Sequence, residues 1–259
     1  MNPSIGNRKR VLLTGASGKF GATFIELFAS RFEIVALMNA NSVEATTQNG
    51  SAFDPITGAH DKNGVKEIKC DLSDSASIKV AVDAITDLVG PINYLISAAA
   101  DVRFLGASID ITQFHEEAIK QWRINMLGPM LLASCLFHRT WKHVEVGKQD
   151  AAILNLSSIS GSSVFQGSRQ ATYAASKAAL NMLTMYMAAE YRPYNIRVNG
   201  LAPNAFPAQL PAKTVAEAAR KIVEGVETGR IYNVGWEKTS MPPNKGNAQG
   251  DSNLVHSAE

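Results

Sequence analysis

A tyrosine and a lysine stand four residues apart in the stretch ATYAASKAAL, residues 171–180, and this pair could move a proton. In a helix, positions i and i+4 lie on one face, so Tyr173 and Lys177 would point the same way. A free phenol has a pKa of about 10, and a neighbouring ammonium lowers it by favouring the phenolate. The pair could then exchange a proton with an alcohol or a carbonyl. The Y-x-x-x-K spacing is common by itself, and an exposed tyrosine and lysine on an ordinary helix are the alternative.

A glycine-rich segment near the start of the chain could bind a phosphate. The segment TGASGKFG, residues 14–21, follows an apolar run and precedes residues with helical apolar spacing. Glycines in this context allow a tight turn and a close approach of pyrophosphate to the backbone, and the following helix N-terminus favours the negative charge. The predicted dinucleotide-binding turn comprises Gly15, Ser17, Gly18, Lys19, Phe20 and Gly21.

The end of the next apolar run indicates which dinucleotide would bind. Residues 33–38 read as a strand, and Asn39 and Ser42 follow it with no carboxylate between them. A carboxylate at this position would select NAD by binding the ribose 2′-hydroxyl. Asparagine and serine could instead hydrogen-bond a 2′-phosphate, and Lys19 could supply a positive charge. NADP is therefore favoured, with NAD as the alternative.

Apolar patterning predicts strands and helices in alternation along the chain, among them a helix over residues 75–89, a fourth strand over 92–100 and a sixth strand over 195–203. This order is typical of an α/β fold, and we predict a Rossmann-type, doubly wound parallel sheet of about seven strands in three layers. We expect one domain over residues 1–236 and a polar tail over 237–259. Residues 39–64 show little periodicity and are predicted to be a long loop. Two long helices are predicted, over 114–142 with a kink at Gly128-Pro129, and over 171–191.

Composition excludes several classes of partner. Lys and Arg total 25 and Asp and Glu 23, a net charge of +2, so no nucleic acid is expected to bind. The first residues lack the apolar stretch of a signal peptide, and no segment approaches the roughly 20 apolar residues of a membrane span. We expect a cytoplasmic protein. The two cysteines and five histidines show no metal-ligand spacing, so no metal site is predicted.

Seven motifs in order resemble the short-chain dehydrogenase/reductase family over residues 9 to about 236. They are TGASGKFG (14–21), CDLSD (70–74), INYLISAAA (92–100), WRINMLGP (122–129), LNLSSISG (154–161), YAASK (173–177) and IRVNGLAP (196–203). The resemblance implies an NAD(P)-dependent oxidoreductase that transfers a hydride between nicotinamide and a carbonyl or secondary alcohol.

The resemblance also implies a catalytic set of Asn125, Ser158, Tyr173 and Lys177. Tyr173 would be the acid or base, and Lys177 would lower its pKa and hydrogen-bond the nicotinamide ribose. Ser158 would hydrogen-bond the substrate oxygen, and Asn125 would hold a water that links Lys177 to solvent. The stretch between Ser158 and Tyr173 is longer than is usual in the family, so its neighbours Ser157 and Ser160 are alternatives.

The remaining cofactor contacts that the resemblance implies come from the ends of other strands. Asp71 and Leu72 would lie against the adenine. The other contacts would line the cofactor, and they are Ser97, Ala98, Ala99 and Pro203.

Four departures from the family pattern bear on activity. The G-x-x-G-x-x-G spacing is that of longer members such as sugar epimerases, and residues 97–100 read SAAA in place of Asn-Asn-Ala-Gly. The usual Pro-Gly after the sixth strand is Pro203-Asn204, where asparagine could accept a positive φ. Only residues 205–214 stand where the family has a long substrate lid.

These departures leave two alternatives to an oxidoreductase. One is a catalytically weak or inactive nucleotide-sensing or scaffold protein, and the other is an epimerase or dehydratase that recycles a bound nicotinamide.

The resemblance also implies a homodimer or homotetramer that pairs through the helices at 114–142 and 171–191. Four phenylalanines in the expected substrate segments hint at an apolar substrate, which could be bulky or carrier-bound. They are Phe104, Phe114, Phe165 and Phe206.

Overall fold

The computed structural model of the chain describes residues 8–38, 60–62, 65–102, 106–145 and 148–235. The sheet contains β1 (Arg10–Thr14), β2 (Glu33–Met38), β3 (His60–Lys62), β4 (Val65–Lys69), β5 (Tyr94–Ser97), β6 (Ala151–Leu156), β7 (Ile196–Pro203) and β8 (Ile231–Val234). The helices are α1 (Lys19–Phe28), α2 (Ser75–Val89), α3 (His115–Trp122), α4 (Gly128–Arg139), α5 (Ala171–Tyr191) and α6 (Ala212–Glu224). Asn39, Ser42, Phe104 and the predicted tail lie outside the described residues.

The strands form one sheet in the order β3-β4-β2-β1-β5-β6-β7-β8. The seven strands from β4 to β8 in this order are parallel, which confirms the predicted doubly wound sheet. β3 pairs antiparallel with β4 at one edge and falls inside the span 39–64 that we predicted to be a loop.

Helices cover both faces of the sheet, as a parallel sheet requires. On one face, α1 and α6 pack on β1 through a cluster that includes Phe24, Phe28 and Ile222. On the other face, α2, α4 and α5 form a second cluster that includes Ile78 and Leu132. The two clusters give the three-layer arrangement and hold the carboxyl ends of the strands in place.

Helix α2 shows why its bounds were predictable. The Asp74 carboxylate accepts hydrogen bonds from the backbone N–H groups of Ala76 and Ser77, which caps the N-terminus. Gly90 ends the helix with a φ of 77°, a conformation that glycine adopts without strain. The helix therefore spans residues 75–89, as predicted.

The predicted helix over 114–142 is interrupted one turn before Gly128-Pro129. Residues Arg123–Leu127 form a π-helical turn between α3 and α4, closed by a hydrogen bond from the Gly128 N–H to the Arg123 carbonyl. Pro129 has no N–H to donate to the Asn125 carbonyl, so the regular α-helical ladder cannot continue there. The turn places Asn125 inside the protein, fully buried.

Helix α5 is the longest described helix, with 21 residues. Within the described residues, no helix is both long and apolar enough to cross a membrane.

Candidate active site

A cleft of about 830 Å³ opens where the carboxyl ends of β1, β5, β6 and β7 meet. Its lining brings together most of the predicted site residues, although they come from distant parts of the sequence. The predicted residues that line it are Gly15, Ser17, Gly18, Lys19, Phe20, Ala98, Ala99, Ser158, Tyr173, Lys177 and Pro203. Among the described residues, those predicted for the site that do not line it are Gly21, Asp71, Leu72, Ser97 and Asn125.

The glycine-rich turn is held by contacts that leave no room for side chains. Gly15 has a φ of +71°, and a Cβ there would lie 2.8 Å from the backbone nitrogen of Ala99. At Gly21, a Cβ would overlap the carbonyl oxygen of Gly15. Glycine is therefore required at both positions, one for its dihedral angle and the other for close packing.

The N-terminus of α1 opens into the cleft with its N–H groups available. Gly18 precedes the helix, no side chain caps it, and the first turn contains no acidic residue. Lys19, the first residue of α1, also lines the cleft. Backbone donors, a helix dipole and a cation at one point suit the pyrophosphate of a dinucleotide, so the residues present fit NAD(P).

Thr14, the last residue of β1, fixes the end of β5 beside this turn. Its buried hydroxyl accepts hydrogen bonds of 2.9 Å from the N–H groups of both Ala98 and Ala99. The sequence prediction did not single out this threonine. Because its hydroxyl takes the N–H groups that would continue the ladder, β5 ends at Ser97 rather than at residue 100 as predicted.

Asp71 and Leu72 follow β4, and Ser97 is the buried last residue of β5; none of the three lines the cleft. Asp71 accepts hydrogen bonds from the backbone and the hydroxyl of Ser73, and these bonds lower the pKa of its carboxyl although partial burial opposes them. The Leu72 carbonyl lies beside Gly128, where a Cβ would approach it to 3.3 Å. Contact of Asp71 and Leu72 with an adenine stays a prediction.

Tyr173 and Ser158 meet inside the cleft. Burial raises the pKa of the Tyr173 phenol, and a side-chain hydrogen bond with Ser158 lowers it in part. In the chain alone the effect of burial prevails, and the lowering by Lys177 that we predicted stays a prediction. The phenol is consequently protonated at neutral pH.

The ammonium of Lys177 bonds to a backbone carbonyl of β6. Its Nζ lies 5.9 Å from the centroid of the Tyr173 ring and donates a 2.7 Å hydrogen bond to the Leu156 carbonyl. The side chain is 2% exposed, and this burial lowers its pKa from 10.5 to about 8. A lysine buried in this way loses its proton at a lower pH than an exposed lysine does.

Asn125 contacts α5 and does not line the cleft. Its Oδ1 accepts a 2.7 Å hydrogen bond from the Asp101 N–H, and its Nδ2 donates to the Asp101 carbonyl and the Ser176 hydroxyl. Ser176 in turn donates to the carbonyl of Tyr173. Both amide N–H groups are thus used by protein atoms, and a water would bind at a carbonyl oxygen of Asn125. This chain of bonds fixes the start of α5.

The two alternatives to Ser158 have other partners. The Ser157 hydroxyl is buried and donates to the Lys177 carbonyl, while the Ser160 hydroxyl donates to Gln170. Gly161 packs so closely on α5 that a Cβ would lie 2.8 Å from the Lys177 carbonyl carbon. This contact brings residues 158–161 against the helix and favours Ser158 as the partner of Tyr173.

The segment after β7 is short and takes an unexpected backbone conformation. Asn204 does not have the positive φ that we considered for it, and Ala205 does, at 48°. The Asn204 amide instead donates a 3.1 Å hydrogen bond to the carbonyl of Gly235, beside the end of β8. Helix α6 then begins at Ala212, so few residues are left to cover the cleft.

Within the described residues, no cluster of His, Cys, Asp or Glu side chains could hold a metal ion.

Comparison with known proteins identifies the class that this site defines. The family model for short chain dehydrogenase matches residues 9–219. The chain therefore belongs to the short-chain dehydrogenase/reductase family, a family of oxidoreductases that bind NAD(P).

Individual relatives cover most of the chain. An uncharacterized short-chain type dehydrogenase/reductase of Sinorhizobium fredii is 29% identical over 226 residues, 86% of this chain and 84% of that protein. D-threitol dehydrogenase of Mycolicibacterium smegmatis is 26% identical over 231 residues, 86% of this chain and 80% of that protein. The crystal structure of a Brucella ovis oxidoreductase with a partially ordered NAD has the same fold, with a TM-score of 0.68 and 24% identity over 88% of this chain and all of that chain.

Proposed function

We propose that the protein is an NADP-dependent oxidoreductase that interconverts a carbonyl and a secondary alcohol, with Tyr173 as the acid and base. The observation that carries the proposal is the meeting of Tyr173, Ser158 and Lys177 in a cleft that also receives the uncapped N-terminus of α1. A phenol, a hydroxyl and a cation beside a phosphate-binding turn are the groups that hydride transfer to a carbonyl requires.

Each side chain of the cleft has a role in this proposal. A bound nicotinamide dinucleotide would supply the hydride for the reduction, or accept it in the reverse direction. Tyr173, protonated at neutral pH, donates its proton to the substrate oxygen. Ser158 donates a hydrogen bond to the same oxygen as negative charge develops on it. Lys177 would bind the nicotinamide ribose and, when charged, favour the phenolate that remains after proton transfer.

The cofactor would lie along the carboxyl ends of β1, β4 and β5. The N–H groups at the start of α1 would bind the pyrophosphate, and Lys19 would add the charge that favours a 2′-phosphate. Asp71 and Leu72 would contact the adenine, and residues 97–99 and Pro203 would contact the nicotinamide half. The preference for NADP over NAD rests on Lys19 and on Asn39 and Ser42, which lie outside the described residues.

Calorimetric titration of the purified protein with NADPH and, separately, NADH tests this proposal. Tighter binding of NADPH supports both the chemistry and the cofactor preference. Tighter binding of NADH overturns the preference and leaves the oxidoreductase standing. If neither binds to a folded protein that carries no cofactor from purification, the proposal fails.

A nucleotide-sensing scaffold is the second candidate, and the short segment between β7 and α6 is the observation that favours it. With few residues to close over the cleft, water reaches the reacting carbon and turnover would be slow. Binding of NADPH without reduction of any carbonyl at high enzyme concentration would favour this candidate.

We also propose that the protein is cytoplasmic and forms a homodimer or homotetramer through α4 and α5. Met182 and Tyr186 on α5 are 53% and 62% exposed, and Met130 on α4 is also exposed. Apolar side chains on two neighbouring helices suit a four-helix contact between copies. Light scattering of the purified protein tests this, and a monomeric mass at micromolar concentration would contradict it.

A further inference from the structure

The mouth of the cleft is apolar and open. Val102 and Phe165 line the cleft and are 52% and 40% exposed. Val164 precedes Phe165 in the sequence, and Ile109 lies in the 3₁₀ turn at Ser108–Gln113, which an ion pair joins to the same loop. The two side chains are 79% and 88% exposed and do not line the cleft itself. We call Val102, Ile109, Val164 and Phe165 the apolar rim. Exposed apolar side chains concentrated at the mouth of one cleft mark a surface that binds an apolar group.

The segments that carry the apolar rim are fastened to each other. An ion pair of 3.1 Å joins Arg169 to Asp110, which ties the loop after β6 to the 3₁₀ turn at Ser108–Gln113. Phe206, on the loop after β7, also lines the cleft and packs partly against the buried cluster beneath it. The rim and Phe206 therefore follow three adjacent strands, β5, β6 and β7.

Charge is confined to the cofactor half of the cleft. Among the described lining residues there is no carboxylate, and the two cations are Lys19 at the glycine-rich turn and Lys177 beneath Tyr173. Residues 159–170 and 204–207 contribute no charged side chain to the lining, because Arg169 does not line the cleft and is paired with Asp110. A substrate whose tail carried a carboxylate or phosphate would lose its hydration there without gaining an ion pair.

The polar side chains of the same part are engaged with the protein. Ser168 donates a 2.7 Å hydrogen bond to the Phe165 carbonyl, and Ser160 bonds to Gln170 at 3.3 Å. The Asn204 amide donates to Gly235. A polyol needs a partner for each hydroxyl, and the hydroxyl groups of Ser160 and Ser168 are already used, which leaves the Gln170 amide as the main further donor in this part of the lining. Ser158 and Tyr173 are left to bind one oxygen.

We propose that the substrate is an uncharged ketone, or the matching secondary alcohol, whose apolar chain or ring system lies on the apolar rim and Phe206. The single polar atom of the substrate then binds at Ser158 and Tyr173. This inference rests on the proposed function and adds the substrate class to it.

A series of methyl ketones from four to twelve carbons tests the inference, with kcat/KM measured under saturating NADPH. A fully buried methylene is worth about fourfold in binding, so a half-open cleft should give about twofold for each added carbon until the rim is covered. A keto acid of matched length should react at least about tenfold more slowly than the ketone, because its carboxylate finds no partner. Affinity for the same ketones in the presence of NADP⁺, measured by calorimetry, gives a second readout that does not need turnover.

A matched pair of variants locates the effect. Phe165→Ala should lower kcat/KM for the longest ketone by about tenfold and leave the four-carbon ketone nearly unchanged. Val80→Ala, which truncates an exposed valine on α2, should change neither. An equal loss of kcat/KM for all ketones would show that Phe165 stabilises the fold rather than binding the apolar chain of the substrate.

The outcomes separate the two proposals. If NADPH binds and the shortest ketone reacts, but neither rate nor affinity rises with length, the inference fails and the proposed function stands. A flat length dependence together with a change of oligomeric mass in Phe165→Ala would make the rim a contact between copies instead. If no dinucleotide binds, the proposed function fails and the inference falls with it.

Discussion

The ammonium of Lys177 donates a 2.7 Å hydrogen bond to the carbonyl oxygen of Leu156, the last residue of β6. Within the described residues, no carboxylate forms an ion pair with it, and burial lowers the pKa of Lys177 to about 8. The buried ammonium of this α5 residue is thus stabilised by the dipole of one backbone carbonyl at the end of β6. Folding is therefore linked to the proton on Lys177.

Lys177→Met should change how stability depends on pH. The unfolded lysine keeps its proton up to about pH 10.5, while the folded one loses it near pH 8. Between these values the unfolded state binds more protons, so the wild type gains stability as pH rises and the variant does not share this gain. The unfolding free energy of the wild type relative to the variant should rise by about 2 kcal/mol from pH 8 to 10. Urea denaturation of both proteins at several pH values measures this difference. If the unfolding free energies of wild type and variant changed equally with pH, Lys177 would not be a buried charge.

Tyr173→Phe should abolish turnover and leave dinucleotide affinity nearly unchanged. The variant removes the proton donor without altering the ring that packs in the cleft, and a loss of at least about 10³-fold in kcat is expected. Steady-state kinetics and calorimetry on the same preparation give the two values. Weaker binding with unchanged turnover of the bound complex would overturn the role of Tyr173.

Ser158→Ala should reduce kcat by about 10²-fold, because a hydrogen bond to the developing oxyanion is lost. Ser160→Ala is the matched control, since its hydroxyl bonds to Gln170 and its loss should change kcat less than about threefold. The reverse order of effects would assign the role to Ser160. Single-turnover reduction of one ketone compares the variants without interference from product release.

Gly15→Ala should destabilise the protein more than Gly167→Ala. Both glycines have a similar positive φ, 71° and 73°, so both variants carry backbone strain of about 1 kcal/mol. A Cβ at Gly15 would also overlap the backbone of Ala99, whereas nothing lies within 4 Å of one at Gly167. We expect a total loss of about 3 kcal/mol at Gly15. Thermal unfolding checks the difference, and equal losses would show that the contact with residue 99 gives way easily.

Lys19→Ala should weaken NADPH binding by about tenfold and NADH binding much less. The expected loss corresponds to one charge-assisted hydrogen bond to the 2′-phosphate. Lys79→Ala, on the exposed side of α2, serves as the control for net charge. An equal loss for both dinucleotides would place Lys19 on the pyrophosphate and leave the cofactor preference without its main support.

Local signals made much of the fold predictable. The bounds of α2 follow from Asp74 and Gly90, and those of α5 were predicted at residues 171–191 and observed there. The glycine-rich turn could be recognised because its glycines stand between an apolar strand and an amphipathic helix. These features depend on residues close together in sequence.

Contacts between distant residues were not predictable. Thr14 ends β5 through hydrogen bonds to residues 84 and 85 positions away, and Asn125 reaches Asp101 across 24 positions. The π-helical turn has the same apolar spacing as an ordinary helix, so its position could not be read from the pattern. The direction of the Lys177 ammonium depends on the end of a strand 21 residues earlier.

The sheet order places two sets of loops at different strands. The glycine-rich turn leaves β1, whereas residues 102, 165 and 206 follow β5, β6 and β7. Most of the buried side chains belong to the strands and helices beneath these loops. Substrate range and folding stability are therefore nearly independent properties of this chain. Residues 162–168 could be exchanged for a segment of another chemistry to redirect the enzyme while its dinucleotide half stays as it is.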